Sequence, residues 1–168
     1  TVVWTNDTTR ATALAVQDGV YVKSGTTTKR YIGTYRTTAS TGQCEDSLTK
    51  RYVWNYYNRV IREIEVKETT NSWTYATATM RSWNNSTANR VSFVRGVAED
   101  VVNLDFYGYV VASATTSFPT VAIGLDSTST PSGIFIPGTA SSTAGGTAVA
   151  SYSANVAAGF HYLQLLEY

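Results

Sequence analysis

Between Tyr52 and Val66 the chain reads YVWNYYNRVIREIEV, and a step of two sorts these residues by polarity. Tyr52, Trp54, Tyr56, Val60, Ile64 and Val66 share one face, interrupted by Asn58 and Arg62. Arg51, Asn55, Arg59, Glu63, Glu65 and Lys67 share the other. A helical reading also finds a stripe in Val53, Tyr57, Val60 and Ile64, so period alone leaves both open. Residue type favours the strand. Val, Ile, Tyr and Trp fit a pleated surface, and Ala and Leu are absent between Arg51 and Lys67. The expectation is one long bent strand over Lys50–Glu68, or two strands broken near Asn58–Arg59.

The same character runs along most of the chain. ATALAVQ, GVYVKSG and KRYIGTYRTT alternate in the same way, with a tight turn expected at Asp18–Gly19 and a loop at Ser24–Thr28. SWTYATATM, RVSFVR, DVVNLDFYGYVVASA, TVAIGLDS, GIFIPG, TAVASYSANV and FHYLQLLEY read as further strands. Gly108, inside the DVVNLDFYGYVVASA strand, marks a bulge or a close backbone approach. Turn signals separate the strands at Thr69–Ser72, Asn84–Asn89, Ser127–Gly133 and Ser141–Gly146. About nine or ten strands with no competing helix predict an all-β antiparallel sandwich or jelly roll. The 168 residues suffice for a single β domain, and neither a linker nor an internal repeat divides them.

Composition narrows the function. Net charge is +1, so no long-range field draws nucleic acid, and no apolar run approaches the length of a membrane span. Thr and Ser make up roughly a quarter of the chain, while charged residues are only 15%. The single Cys44 has no partner and reads as a free thiol. Nucleophilic catalysis requires a base, and the one His, His161, lies in a strand apolar on both faces, where a structural role fits better. The carboxylates Glu45–Asp46, Glu63–Glu65, Glu99–Asp100 and Asp105 are candidates for glycoside chemistry, but ion pairing explains the Glu63–Glu65 pair more simply. Neither a metal-ligand spacing nor a phosphate-binding Gly-rich loop occurs; Asp126 with neighbouring loop carbonyls is an unspecific hard-cation candidate. The expectation is a protein without enzymatic activity, cofactor or metal.

What remains is the aromatic excess of 12 Tyr and 4 Trp. Core packing accounts for part of it. Subunit interfaces, rich in Tyr, Trp and Arg, account for another part. Trp73, Trp83 and Tyr107 are the candidate rings of a carbohydrate platform.

GVYVKSGTTTKRYIGTYRTT (Gly19–Thr38), EDSLTKRYVWNYYNRV (Glu45–Val60), NRVSFVRG (Asn89–Gly96) and AGFHYLQLLEY (Ala158–Tyr168) together resemble segments of tailed-bacteriophage virion proteins, the fibre, spike and tail-tip components. The resemblance implies a C-terminal head or knob domain of a longer fibre-like chain, in keeping with a sequence that opens without Met. It implies a homotrimeric β jelly roll, broadly of tumour-necrosis-factor type, located on the virion as a tail or head appendage. Its partners would be its own copies, other virion proteins and a host-surface glycan or receptor, with neither nucleic acid nor membrane insertion. The residues expected at a trimer interface are Trp54, Tyr56, Tyr57, Arg59, Phe160, His161, Tyr162 and Leu163. Those expected on host-facing loops (Ala39–Glu45, Asn84–Asn89, Ser127–Gly133 and Ser141–Gly146) are Gln43, Trp83, Asn84, Asn85, Ser129 and Thr130. A capsid decoration or head-fibre protein without receptor contact and a carbohydrate-binding module are the rival readings.

Overall fold

The computed structural model describes residues 4–112, 118–133, 136–137 and 145–168. The chain is all-β with antiparallel sheets, and the described residues also include a parallel pair. It divides into two compact units, Thr1–Ile64 with Ser92–Ala98 and Ala157–His161, and Glu65–Val91 with Glu99–Val156 and Tyr162–Tyr168.

The first unit opens with a meander of β1 (Leu14–Gln17), β2 (Val20–Lys23) and β3 (Thr26–Arg30). Gln17 pairs with Val20, so Asp18 and Gly19 form a two-residue turn, both at positive φ (51° and 77°). That is the geometry Asp-Gly predicts, because its twist matches the flanking strands. A second tight turn follows at Ser24–Gly25 instead of the expected longer loop. Lys23 therefore pairs with Thr26, and β3 begins before Lys29. The run KRYIGTYRTT is thus split between β3 and β4 (Gly33–Tyr35).

The expected long strand over Lys50–Glu68 is also broken, and earlier than Asn58. β5 (Lys50–Arg51) and β6 (Val53–Asn55) flank Tyr52; β6 pairs with β4, and β5 runs parallel to Ser92–Phe93 of β8 (Arg90–Arg95). Tyr52 itself serves other neighbours, donating to the Glu45 carbonyl and accepting from the Arg36 amide. Asn55 ends β6. Its Oδ1 accepts from the amides of Tyr57 (2.9 Å) and Asn58 (3.2 Å), an Asx turn that takes these donors away from a ladder. Residues 56–80 then carry no strand, so the predicted strand SWTYATATM is absent.

The second unit has two layers. One contains β11 (Ile136–Pro137), β10 (Thr120–Leu125), residues 162–167 of β13 (Gly159–Glu167) and residues 90–91 of β8 in that order, with β7 (Arg81–Ser82) also on β13. The other is the ribbon of β9 (Val101–Val110) and β12 (Gly146–Asn155), paired over ten residues. β12 alternates as predicted: Ala148, Ala150 and Tyr152 are buried, while Thr147 and Ser153 are exposed. Val121, Ala122, Ile123, Leu163, Leu165 and Leu166 supply the facing core. The side chains of Leu163 to Glu167 are all buried, so β13 is covered on both faces, as its apolar pattern requires. Of the expected strand GIFIPG only residues 133 and 136–137 are described, and of the Ser141–Gly146 loop residues 141–144 lie outside the described residues.

Gly108 on β9 is the close approach read from the sequence. The Trp83 ring, in the single-turn 3₁₀ helix Trp83–Asn85, lies over it and meets Phe106 edge-on at 4.9 Å. A Cβ at residue 108 would lie 2.9 Å from Trp83 Cη2 and 3.3 Å from Phe106 Cζ. Gly108→Ala is therefore expected to destabilise the fold by about 1–3 kcal/mol in urea denaturation, through overpacking. An unchanged midpoint would show that the Trp83 ring has room to move.

Candidate functional site

The structure gathers four of the expected interface residues. Trp54 and Tyr56 lie 5.9 Å apart, Tyr56 meets Tyr57 edge-on at 5.0 Å, and the Arg59 guanidinium covers both Trp54 (5.4 Å) and Tyr56 (5.3 Å). Tyr57 and Arg59 are exposed; Trp54 and Tyr56 are half-buried. Phe160 and His161 belong to the same unit but to another cluster. Phe160 packs edge-on against Tyr52, and His161, buried, faces Phe93 with its Nε2 3.1 Å from the Ala157 carbonyl. Tyr162 and Leu163 are in the second unit, where Arg90 lies over the Tyr162 ring and Leu163 is buried within its own chain.

Among the expected loop residues, Gln43, Asn85, Ser129 and Thr130 are exposed and Asn84 is half-buried. Trp83 is a correction: it is core, 6% exposed, held edge-on by Trp73 and Phe106. Trp73 is half-buried, with its Nε1 committed to Glu167 (2.8 Å), so of the three candidate platform rings only Tyr107 is open, at 68% exposure. Asp126 Oδ1 accepts from the Tyr162 amide at 2.9 Å.

A site that the sequence reading did not single out lies in the first unit. A cavity of about 860 Å³ opens between loop 4–10, the end of β3, and strands β4 and β6. Residues Trp4 and Arg10 bridge across the base of the loop. Asn6 shapes its turn, its Oδ1 accepting from the amides of Thr8 (3.0 Å) and Thr9 (2.8 Å). At the tip, Asp7 takes Arg36 in a two-pronged pair (3.0 and 3.1 Å), and its carbonyl accepts from the Phe160 amide (2.7 Å). The floor is aromatic. Tyr31 and Trp54 stack with centroids 6.2 Å apart, and they pack so closely on Gly96 that no side chain fits there. Tyr31 is buried with its hydroxyl on Thr34 Oγ1, and burial raises its pKa despite the opposing effects of Thr34 and Arg10.

The cavity is strongly cationic. Arg10, Lys23, Lys29, Arg30 and Arg36 line it against a single carboxylate, Asp7, already engaged by Arg36. Arg10 lies over the Trp4 ring (4.8 Å) and the Tyr31 ring (5.4 Å). Its Nε and Nη2 are buried and, among the described residues, have no hydrogen-bond partner. The arrangement suits an anion: guanidinium donors and a positive field, on rings that hold the cation by its face.

Two carboxylates that the sequence reading passed over are the most heavily bonded. Glu167, buried, accepts from Trp73 Nε1, Arg81 Nε (2.8 Å) and the Asn84 amide (3.1 Å). Glu68 accepts from Asn89 Nδ2 (2.6 Å), Asn84 Nδ2 (3.0 Å) and the Thr70 amide (2.8 Å). These donors, led by Asn89, hold Glu68 down to a pKa of about 2. A glycosidase general acid requires the opposite shift, so Glu68 is a poor candidate for that role. Among the described residues no group of three His, Cys, Asp or Glu is placed to hold a metal, and no helix is long and apolar enough to cross a membrane. Comparison of the chain with known protein families, curated proteins and solved structures found no match.

The depressed pKa of Glu68 links folding to pH. Its stabilising contribution is complete above the ordinary value of 4.5 and is lost as pH falls from there through about 2. Urea midpoints measured between pH 6 and pH 2 should fall in that window, and Glu68→Gln should flatten the fall. An identical profile in the variant would remove Glu68 as its cause.

Proposed function

We propose that this chain is a self-assembling β domain of a bacteriophage virion appendage, a trimeric fibre or knob of jelly-roll type that contacts the host surface. The observation that carries the reading is the outer face of β9. Tyr107 and Tyr109 are 68% and 71% exposed, with Val101 and Val111 at either end at 55% and 56%. Among the described residues β9, a ten-residue strand, pairs with β12 and no strand pairs with its other edge. Long edges with exposed apolar side chains template the addition of another chain, and monomeric proteins blunt them with charge. Asp105 is the one charged residue within β9, and it accepts from Ser151 of its own ribbon. Tyr at such density is the residue type that interfaces favour. The exposed Ile61 (99%) and Val60 (57%) of the first unit point the same way. Closed cyclic symmetry is the usual outcome when one face pairs with another on an identical copy. The virion placement is supported by the sequence resemblance, and the host-facing role by the small polar loops around Gln43, Asn85 and Ser129.

Light scattering at about 10 µM is expected to give three times the 18.3 kDa chain mass, and Tyr107→Lys with Tyr109→Glu should return the monomer with its strand content intact. A folded monomer at that concentration in the unmodified protein would overturn the assembly reading.

A further inference from the structure

We propose that the cavity of the first unit binds an anionic saccharide, with Arg10 taking the sugar's carboxylate or phosphate. The inference deepens the host-surface role and rests on it only for the natural source of the sugar. Its starting point is the contrast between two arginines. Arg36 lies 4.0 Å over the Phe160 ring and closes its fork on the two oxygens of Asp7 (3.0 and 3.1 Å). Arg10 has the same bed, with Trp4 and Tyr31 beneath it, but no carboxylate to close on. Two of its nitrogens are sealed from solvent and, among the described residues, unpaired. A buried donor without an acceptor is costly, and a charged one more so. A ligand anion in the cavity that Arg10 lines would supply the opposite charge that Asp7 supplies to Arg36.

The rest of the cavity fits a sugar around that anion. Its volume of about 860 Å³ falls within the range of small-molecule sites, roughly 300–1,000 Å³. The exposed Tyr35 offers a ring face to the C–H face of a pyranose. Asn6 and Asn55 have Oδ1 occupied by amides of their own turns, which leaves each Nδ2 to donate to a sugar hydroxyl. The exposed Lys29 adds positive charge at the rim. Nothing in the lining is arranged for a neutral sugar alone, since five cations would then face a ligand with no charge.

The test is calorimetric titration of the full chain with digalacturonate, glucose 6-phosphate, inorganic phosphate and neutral maltose, with tryptophan fluorescence read in parallel. Digalacturonate or glucose 6-phosphate is expected to bind at least about tenfold more tightly than maltose, and whichever of the two binds identifies the anion as carboxylate or phosphate. Arg10→Gln should lose that binding by at least about tenfold, and Arg10→Lys should retain part of it. Should Arg10→Gln fail to fold, Lys29→Glu, at an exposed position, must still weaken the charged sugar without altering the circular dichroism spectrum. The proposal is overturned by a folded protein that binds none of the sugar probes, by equal affinity for maltose, or by an affinity unchanged in Arg10→Gln. Inorganic phosphate bound as tightly as glucose 6-phosphate would overturn the saccharide assignment. A monomer that binds digalacturonate would sink the trimer and leave this site standing; a trimer indifferent to every sugar would do the reverse.

Discussion

A charge removed from water must be met by opposite charge or by hydrogen bonds, and the second unit is organised around meeting that demand. Glu167 ends a strand covered on both faces, so its carboxylate cannot reach bulk water and is answered from within. Its donors come from residues 73, 81 and 84, three points on a stretch that lies far from it in sequence. Neutralising one carboxylate thereby fixes where that stretch runs. In the first unit Asp7 does the same for loop 4–10, joined through Arg36 to the end of β4 and through its carbonyl to Phe160. Losing one partner of the buried Glu167 set costs more than the bond itself, because the remaining group is stranded.

This mode of anchoring explains how residues 56–80 hold an extended course without a ladder. Arg51 donates to the Glu63 carbonyl (3.1 and 2.7 Å) and Asp46 draws in both Arg51 and Arg62. Further on, Trp73 reaches Glu167, the Arg81 guanidinium lies 3.7 Å over the Tyr75 ring, and the Tyr75 hydroxyl bonds back to Thr79. Side chains here do what backbone pairing does elsewhere. Half-burial still alternates at Ile64, Val66 and Glu68 and again at Trp73 and Tyr75, so the period-two signal survives while the strand does not.

That stretch marks where the sequence became illegible. Alternation reports that one side of an extended chain meets the protein and the other meets water; it is silent on whether a neighbouring strand accepts the amides. Where the turn chemistry was local, as at Asp18–Gly19, the outcome could be read, and so could Gly108, β8, β10, β12 and β13. Asn55 was a harder signal, since an Asx turn and a strand polar face present the same residue. Trp83 was misplaced because Asn84, Asn85, Ser86 and Thr87 give its surroundings the composition of a loop, although the ring points back over Gly108. Arg10, Asp7, Glu68 and Glu167 were out of reach for another reason. Arg10 takes its meaning from Trp4 and Tyr31, Asp7 from Arg36 and Phe160, Glu68 from Asn84 and Asn89, and Glu167 from residues 83 to 94 positions back, and no motif spacing encodes such sets.

The two arginines of the first unit show how one chemical rule yields both a strut and a site. A guanidinium on an aromatic face keeps its in-plane donors free, because the ring engages only its π surface. Given a carboxylate from the chain, that donor edge becomes a clamp, and Arg36 closes loop 4–10. Left without one, the same edge is the strongest unmet demand in its cavity, as it is at Arg10. The neighbouring cations sharpen the preference. Five positive side chains around one committed carboxylate repel a cation and give a neutral ring no electrostatic gain, whereas each adds to the attraction of an anion. The selectivity of this cavity is therefore set by what Asp7 cannot do twice.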